Sequence, residues 1–424
     1  MDKLVKDVQR VENYIDDLVI RADKDVLTLD DIIVHHRSNN KKRDYLFVNR
    51  AQGKHIPVSP RRVFRLVENL VDQIKTVKTG DDVVVIGFAE TATALGNLVA
   101  EELQYRGVNV TVVQTTREDV KGINLVNFEE EHSHATSQKL MINGEKEIPS
   151  DSPVLNAKHY IIVEDEITTG NTVINMVSKL REKLTFKYAK FTVASVCNWQ
   201  SDADIKRFKD NKIEAVSLVS GKIKDANMKM TDINPELDKA ITPVVGGRKE
   251  LGALAKKYIR NDSAFCFDTN ISKDSIFQYE RTEHKPYRGY ENDVDKKIID
   301  EIKKIGLNTY GTVRVIGVEE FMYYPLKIAK AIEDTLNCKV KFHATTRSPI
   351  DIIEDGDVRG IVNGVKLNRP GQVDKRYLYN IDGGQDVVVV ISDTPLSHRF
   401  REELAEAFNY KDFDVCNMIY VNVE

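Results

Sequence analysis

Cysteine is scarce in this chain, with four among 424 residues at positions 197, 266, 338 and 416. They are far apart and form no CxxC spacing, so the sequence offers neither a disulfide framework nor a thiolate zinc centre, and buried free thiols are expected. No apolar run is long enough to span a bilayer, and Met1 to Lys24 is laced with charge where a secretory signal would be apolar. A cytoplasmic location with no membrane partner is therefore expected. Excess positive charge is also missing: 62 Lys and Arg against 66 Asp and Glu leave a net charge of -4. That balance argues against nucleic acid as the main partner, and Lys41, Lys42 and Arg43 read as a solvated loop. What is present, 41% apolar and 30% charged residues over more than one domain's length, is the composition of a globular protein of two domains, or three if the N-terminal stretch stands alone.

Hydrophobic periodicity sets out the elements. Val5, Val8, Val11, Tyr14, Ile15 and Leu18 recur at intervals of three and four, which predicts an amphipathic helix over residues 1–20. A second helical face runs from Val63 to Ile74 behind Pro57 and Pro60. Beyond the turn at Gly80 come a strand at Val83 to Ile86, a helix from about Ala92 to Tyr105 and a strand at Val108 to Val113. Tyr160 to Val163, a helix from Thr172 to Leu180, and strands at Phe191 to Cys197 and Glu214 to Val219 continue the alternation. Short, continuously apolar strands separated by helices predict an α/β fold with a parallel sheet covered on both faces. Arg117 to Lys158 is too long and polar for an ordinary connection and reads as a lid or binding loop.

A second unit follows, with strands at Val313 to Gly317, Val340 to Ala344 and Val387 to Ile391 and a helix from Tyr324 to Leu336. Shifting the chain by 230 residues aligns residues 83–117 with 313–347 without a gap and gives nine identities in 35 positions, including Gly87, Glu90, Thr115, Thr116 and Arg117. The second unit therefore reads as a degenerate internal repeat of the first. The expected division is 1–39 as an N-terminal helical extension, 40–235 as the first domain, 236–265 as a linker and 266–424 as the second domain.

The most specific motif is Ile161-Ile-Val-Glu164-Asp165-Glu166-Ile-Thr168-Thr169-Gly170-Asn171-Thr172, a buried strand that ends in acids and turns through a hydroxyl-rich loop into a helix. Amides at a helix N-terminus, backed by the helix dipole, cradle a phosphate, and the threonine hydroxyls add donors. Gly170 lets the backbone approach closely. Adjacent carboxylates at Glu164 and Asp165 are suited to accept hydrogen bonds from the vicinal hydroxyls of a ribose. A capped strand-helix junction is the plain alternative, but capping needs one Thr or Asp and not this whole string.

This segment resembles the motif of type I phosphoribosyltransferases that binds PRPP (5-phosphoribosyl 1-diphosphate): four apolar residues, two acids, two variable residues, Thr-Thr-Gly, one residue and Thr. The match is complete. The resemblance implies that Glu164 and Asp165 hold the ribose hydroxyls and that Thr168, Thr169, Gly170, Asn171 and Thr172 hold the 5-phosphate. Gly87, Phe88, Ala89, Glu90 and Thr91, between a strand and a helix, resemble the family's diphosphate loop but lack its usual Arg and Gly-Gly pair. In the Arg117 to Lys139 insertion the resemblance implies a closing loop. There Arg117 would meet diphosphate oxygens and His132 or His134 would handle a proton, with a polar surface as the alternative reading. Thr115-Thr-Arg117, Glu131-His132-Ser-His134-Ala135 and Thr346-Arg347-Ser348-Pro349 are similar to elements of the orotate phosphoribosyltransferase-like proteins of tellurium-resistance gene clusters, whose C-terminal domain is named for Thr-Arg-Ser-Pro. That resemblance covers roughly residues 40–424.

It implies a type I phosphoribosyltransferase fold followed by a TRSP-type α/β domain. It also implies Mg2+ held mainly through PRPP and pyrophosphate, a base-like small molecule as acceptor and a homodimer. No dedicated protein metal site is expected. In the second unit Arg347 and Asp393 are the ligand candidates, against a structural role in capping and ion pairing, because Val390-Ile-Ser-Asp393-Thr394-Pro395 keeps one acid and has lost Thr-Thr-Gly. Two rivals stand beside the enzyme: a PRPP-sensing regulator without catalysis, and a diphosphokinase, for which no Walker-type loop is found.

Overall fold

In the first half the chain forms, in order, β1 (Ile15–Ile20), a hairpin of β2 (Ile32–His36) and β3 (Tyr45–Asn49), β4 (Asp82–Gly87), β5 (Asn109–Thr116), β6 (Ile123–Phe128), β7 (Gln138–Ile142), β8 (His159–Ile167), β9 (Lys190–Asn198) and β10 (Ile213–Ile223). The computed structural model describes residues 8–38, 40, 43–128, 137–144, 146–235, 241–242, 266–267, 293–304, 311–353, 360–368, 375–381, 385–408 and 417–422. Eight of these strands make one sheet in the order β1-β10-β9-β8-β4-β5-β7-β6. Its centre is parallel, β5-β4-β8-β9-β10, and antiparallel strands close both edges. The apolar runs explain the centre: Val83 to Ile86 and Tyr160 to Val163 are buried on both faces, and each such side chain contributes on the order of 1.5–3 kcal/mol.

The second half continues with β11 (Ile241–Thr242), β12 (Cys266–Phe267), β13 (Thr312–Gly317), β14 (Lys339–Ala344), β15 (Ile352–Ile353), β16 (Gly364–Asn368), β17 (Lys375–Tyr379), β18 (Val387–Ser392) and β19 (Asn417–Asn422). Five of them form a parallel sheet, β12-β19-β18-β13-β14, while β11 pairs with β15 and β16 with β17 in antiparallel ladders.

The repeat is explicit in three dimensions. β4 and β13 begin and end 230 residues apart, as do the helices Thr93–Tyr105 and Tyr323–Thr335. The sheet cores share one strand order, β9-β8-β4-β5 in the first and β19-β18-β13-β14 in the second. Even single hydrogen bonds recur. The Ala89 amide donates to Thr115 Oγ1 and the Glu319 amide to Thr345 Oγ1, both at 2.8 Å. The Glu118 amide donates to Thr116 Oγ1 at 3.0 Å and the Ser348 amide to Thr346 Oγ1 at 3.1 Å.

One expectation is corrected. In the described part of the N-terminal stretch only Val8 is helical: beyond it a 3-10 turn (Val11–Asn13) leads into β1, which pairs antiparallel with β10. An apolar spacing of three and four fixes which residues are buried but not the backbone, and here the open edge of β10 supplies the partners. In the described part of the insertion after Arg117, β6 and β7 pair antiparallel and extend the sheet from Thr115 and Thr116 of β5. Cys197 is a buried free thiol and Cys338 a half-buried one; the side chains of Cys266 and Cys416 lie outside the described residues.

The two halves share a seam. Val58 and Phe342 bridge their backbones in both directions, at 3.0 and 2.8 Å. Ser59 Oγ donates to Glu333 at 2.6 Å and Tyr323 Oη to Glu101 at 2.9 Å. The hairpin β2–β3 is anchored to the second half as well, where His36 Nδ1 lies 2.6 Å from an Asp351 oxygen and the Ser38 amide donates to the same carboxylate at 2.8 Å.

Candidate functional site

The site is built where β8 runs out of apolar residues. Tyr160 to Val163 anchor the strand in the core, and Glu164, Asp165 and Glu166 emerge half-buried at its end. The chain re-enters the core at Ile167, whose carbonyl accepts from the Trp199 amide at 2.8 Å, and then turns through Thr168, Thr169 and Gly170 into the helix Asn171–Lys183. Gly170 caps that helix in the left-handed region at φ 74°. A Cβ there would lie 2.2 Å from Phe208 Cε1, so conformation and space both demand glycine. Arg207 donates to the Thr169 carbonyl at 2.9 Å, and Thr169 Oγ1 accepts from the Asn171 amide at 3.3 Å. The first-turn amides of a 13-residue helix therefore open beside a threonine-rich loop, next to two carboxylates.

Burial pushes the Asp165 carboxyl up to about 6; the Glu164 hydrogen bond opposes this and the Glu166 charge adds to it. Glu166 itself is met by Arg43 at 2.9 Å. The Arg43 guanidinium lies 4.7 Å from the Tyr45 ring centroid and 5.0 Å from that of Phe47, and Phe47 packs on Trp199 at 5.1 Å. Arg43 is thus a site residue that the solvated-loop reading missed. The signal is in the alternation of Arg43, just before β3, with Tyr45 and Phe47 within it, whose rings share one face. Trp199 is a core residue, 1% exposed.

The second element is the loop Gly87 to Thr91 at the end of β4. The Phe88 amide donates to Val163 of β8 at 3.0 Å, which ties the two loops together. The Ala89-Glu90 peptide bond is cis. Gln52 Nε2 donates to the Thr91 carbonyl at 2.9 Å. A Cβ on Gly96 would stand 2.6 Å from Gly87 Cα, so the helix after this loop rests directly on β4.

Glu90 is the centre of a buried ionic cluster. Lys54 Nζ is 3.3 Å from its Oε1, Arg117 Nη1 is 3.6 Å from its Oε2, and the Arg347 amide donates to Oε1 at 2.9 Å. Burial alone would raise the Glu90 carboxyl, but the Lys54 and Arg117 charges and the Arg347 amide bring it to about 2. Arg347 also pairs with Glu118, and with Glu319 at 3.3 Å, and Arg376 holds Glu319 at 2.8 Å. Thr116 Oγ1 donates to Glu320 at 2.6 Å.

The sequence-derived candidates thus fall into three groups. Glu164, Asp165 and Thr168 to Thr172 form one continuous turn, and Gly87 to Thr91 with Arg117 form a second, joined to it through Phe88 and Val163. Arg347 is brought to the first half's loop through Glu90. Asp393 is buried at the end of β18, in the place that corresponds to Asp165, since Ile391 sits beside Gly317 as Val163 sits beside Gly87. His132 and His134 lie outside the described residues. A groove of about 1130 Å³ near the Gly170 turn is lined by Asn198, Gln200, Phe208, Ser217 and Ser220 among others, but by none of Glu164 to Thr172. The chemistry, and not the size of this groove, locates the candidate site.

Residues 33–222 match a family described as phosphoribosyl transferase, and residues 287–408 match the TRSP domain described as lying C-terminal to it. No curated protein matches the chain in sequence. Among solved structures it is similar to adenine phosphoribosyltransferase from Trypanosoma brucei in complex with AMP, pyrophosphate and ribose-5-phosphate, with 17% identity over 38% of this chain, 65% of that chain and a TM-score of 0.27. It is also similar to orotate phosphoribosyltransferase from Aeropyrum pernix, with 16% identity over 42% of this chain, 77% of that chain and a TM-score of 0.24. A hypoxanthine phosphoribosyltransferase from Staphylococcus aureus is 11% identical over 35% of this chain and 69% of that chain, with a TM-score of 0.24.

Proposed function

Because the chain belongs to the phosphoribosyl transferase family that carries a TRSP domain at its C-terminal side, we propose that it transfers a 5-phosphoribosyl group between PRPP and a nitrogenous base or related acceptor. In this reading residues 40–235 are the transferase domain and 266–424 the TRSP-type domain. The observation that carries it is the single turn in which Glu164 and Asp165 end β8 and Gly170, at φ 74°, opens the helix Asn171–Lys183.

The first-turn amides and the hydroxyls of Thr168, Thr169 and Thr172 bind the 5-phosphate. Glu164 and Asp165 accept hydrogen bonds from the ribose 2- and 3-hydroxyls and so hold C1 toward the Gly87 to Thr91 loop, where the diphosphate lies. The bond from C1 to the diphosphate oxygen breaks and the acceptor nitrogen bonds to C1, through a centre with oxocarbenium character. The acceptor's proton is lost and diphosphate leaves. Arg117, already beside Glu90, steadies the leaving group. Among the described residues no three His, Cys, Asp or Glu side chains gather into a metal cage, while Glu164 and Asp165 offer partly buried carboxylate oxygens, the donor type that suits magnesium carried on a diphosphate. Magnesium bound in this way would neutralise diphosphate charge. The proposed setting is the biosynthesis or salvage of a nucleoside-like metabolite in tellurium-resistance or stress clusters, in the cytoplasm, with a homodimer as the proposed assembly.

The test is calorimetric titration of the whole protein with PRPP and magnesium, beside Asp165→Asn and a pyrophosphate-release screen over free bases. Binding lost in Asp165→Asn, with release for one base, supports the transferase. Binding without release for any base points to a PRPP sensor, and absence of binding by the unaltered protein overturns the reading.

A further inference from the structure

The two halves exchange backbone amides through equivalent residues. Arg347 N donates to Glu90 Oε1 at 2.9 Å, and Arg117 N, which stands 230 positions earlier, donates to Glu320 Oε1 at 3.2 Å. Each half thus presents its Thr-Thr-Arg turn to the other half's strand-end loop. The consequence is unequal because the loops differ. In the second half Glu319 replaces Ala89 of the first, and its carboxylate is sealed, 4% exposed, against Arg376, which is 1% exposed. The first half's loop has alanine at that position, so no equivalent carboxylate fills it.

Arg347 differs from Arg376 in being partly reachable: its side chain is 19% exposed and that of its partner Glu118 is 18% exposed. Its Nε is buried with no hydrogen-bond partner among the described residues. A guanidinium so placed keeps the sealed Glu319 at 3.3 Å on one side and, on the other, one carboxylate that solvent can displace, with one donor direction still open. An anion with several oxygens satisfies both, and bidentate pairing with phosphate oxygens is the geometry at which arginine excels.

From this arrangement we infer that Arg347 of the second half binds the diphosphate of the ligand held by the first half, taking phosphate oxygens in exchange for Glu118. The site therefore spans both halves, and the TRSP-type domain contributes a ligand-binding residue to it. The inference rests on the transferase reading above and deepens it by assigning the diphosphate end of the ligand.

Full-length protein, unaltered and as Arg347→Ala and Glu118→Gln, is titrated in magnesium with inorganic pyrophosphate, PRPP and ribose 5-phosphate, and each variant's melting temperature is recorded. Ribose 5-phosphate lacks the diphosphate and reports on the Thr168 to Thr172 loop alone. Arg347→Ala is expected to weaken pyrophosphate and PRPP by about 10–100-fold, the loss of a charge-assisted contact, while ribose 5-phosphate changes less than about 2-fold. Glu118→Gln, which removes the competing carboxylate, is expected to tighten pyrophosphate. Equal weakening of all three ligands, or no weakening of any, assigns Arg347 to the seam alone and overturns the inference. Where Arg347→Ala does not fold, Glu118→Gln decides, and unchanged or weaker pyrophosphate binding overturns the inference. An unaltered protein that binds neither PRPP nor ribose 5-phosphate fails differently, because it removes the transferase reading itself.

Discussion

Lys54 and Glu90 form an ion pair at 3.3 Å inside the seam, with side chains 2% and 7% exposed. Lys54 also donates to the Glu319 carbonyl at 2.9 Å, so one ammonium group ties the first half's loop to the second half's backbone. Burial lowers the Lys54 ammonium and the Glu90 charge pulls it back up. The pair is held by mutual neutralisation, and removing one member exposes the cost of burying the other.

Lys54→Met is therefore expected to cost about 3–5 kcal/mol of unfolding free energy. Lys54→Met with Glu90→Gln is expected to recover part of that loss, because the stranded carboxylate is gone. Urea unfolding of the two variants and the parent checks this; a double variant no more stable than the single one contradicts it.

Gly170→Ala places a methyl group 2.2 Å from a Phe208 ring carbon and puts a side chain at φ 74°. The loop must shift to relieve it. A stability loss of about 1–3 kcal/mol is expected, with ribose 5-phosphate affinity falling at least about 10-fold. Calorimetric titration at a temperature where the variant is folded separates the two effects.

Asp165→Asn is expected to raise stability while abolishing PRPP binding. Burial puts the Asp165 carboxyl at about 6, so at pH 8 its charge opposes folding, by about 1–3 kcal/mol at most. A melting temperature at pH 8 equal to or above that of the parent meets the expectation. A clear drop would show that Asp165 holds the fold as well as the ligand.

Acid sensitivity should begin above the carboxylate range. His35 and His55 are fully buried and held at about 3 instead of 6.5, by burial first and then by neighbouring charge: His55 for His35, and Lys54 for His55 against the opposing pull of Glu90. His343 is pushed down well below 6.5 by burial and then by Arg314, Lys341 and His55. Below pH 6.5 the unfolded chain takes up protons that these rings refuse, so stability falls as pH drops from 6.5 toward 3. At pH 5 His35 and His55 each account for about 2 kcal/mol, and His343 acts in the same direction. Asp165 acts in the opposite direction between about 4 and 6, and Glu90 adds a further loss between 4.5 and about 2. Urea midpoints measured from pH 8 to 4 check the sign; midpoints that do not fall between pH 6.5 and 5 refute it.

Much of the first half was legible because its strands are continuously apolar and its helices end at recognisable breakers. Val83 to Ile86 and Tyr160 to Val163 admit one reading, and the strand, the turn at Gly170 and the helix after it are legible residue by residue. The repeat was legible too, because Gly87, Glu90 and Thr-Thr-Arg recur at a fixed offset. The seam was not, since no local pattern says that Glu90 will meet Arg347 or that Lys54 will be buried. Residues 11–20 defeat the helix reading because valine and isoleucine at intervals of three and four satisfy a helix face and an edge strand alike, and only the unpaired side of β10 decides. Arg43 was passed over because a basic cluster looks like solvent-facing charge until Tyr45 and Phe47 are placed beneath it.

The pairing of β1 with β10, Ile15 against Ile223, fixes an order of events in synthesis. An edge strand made before its partner pairs only after some two hundred further residues have left the ribosome, and Val58 waits longer still for Phe342. Until then the early segment has no ladder to join, and contacts of such long sequence separation form slowly. Through that window the backbone amides and carbonyls of the early strand are expected to stay unpaired, which exposes them to pairing with other chains until β10 has been made.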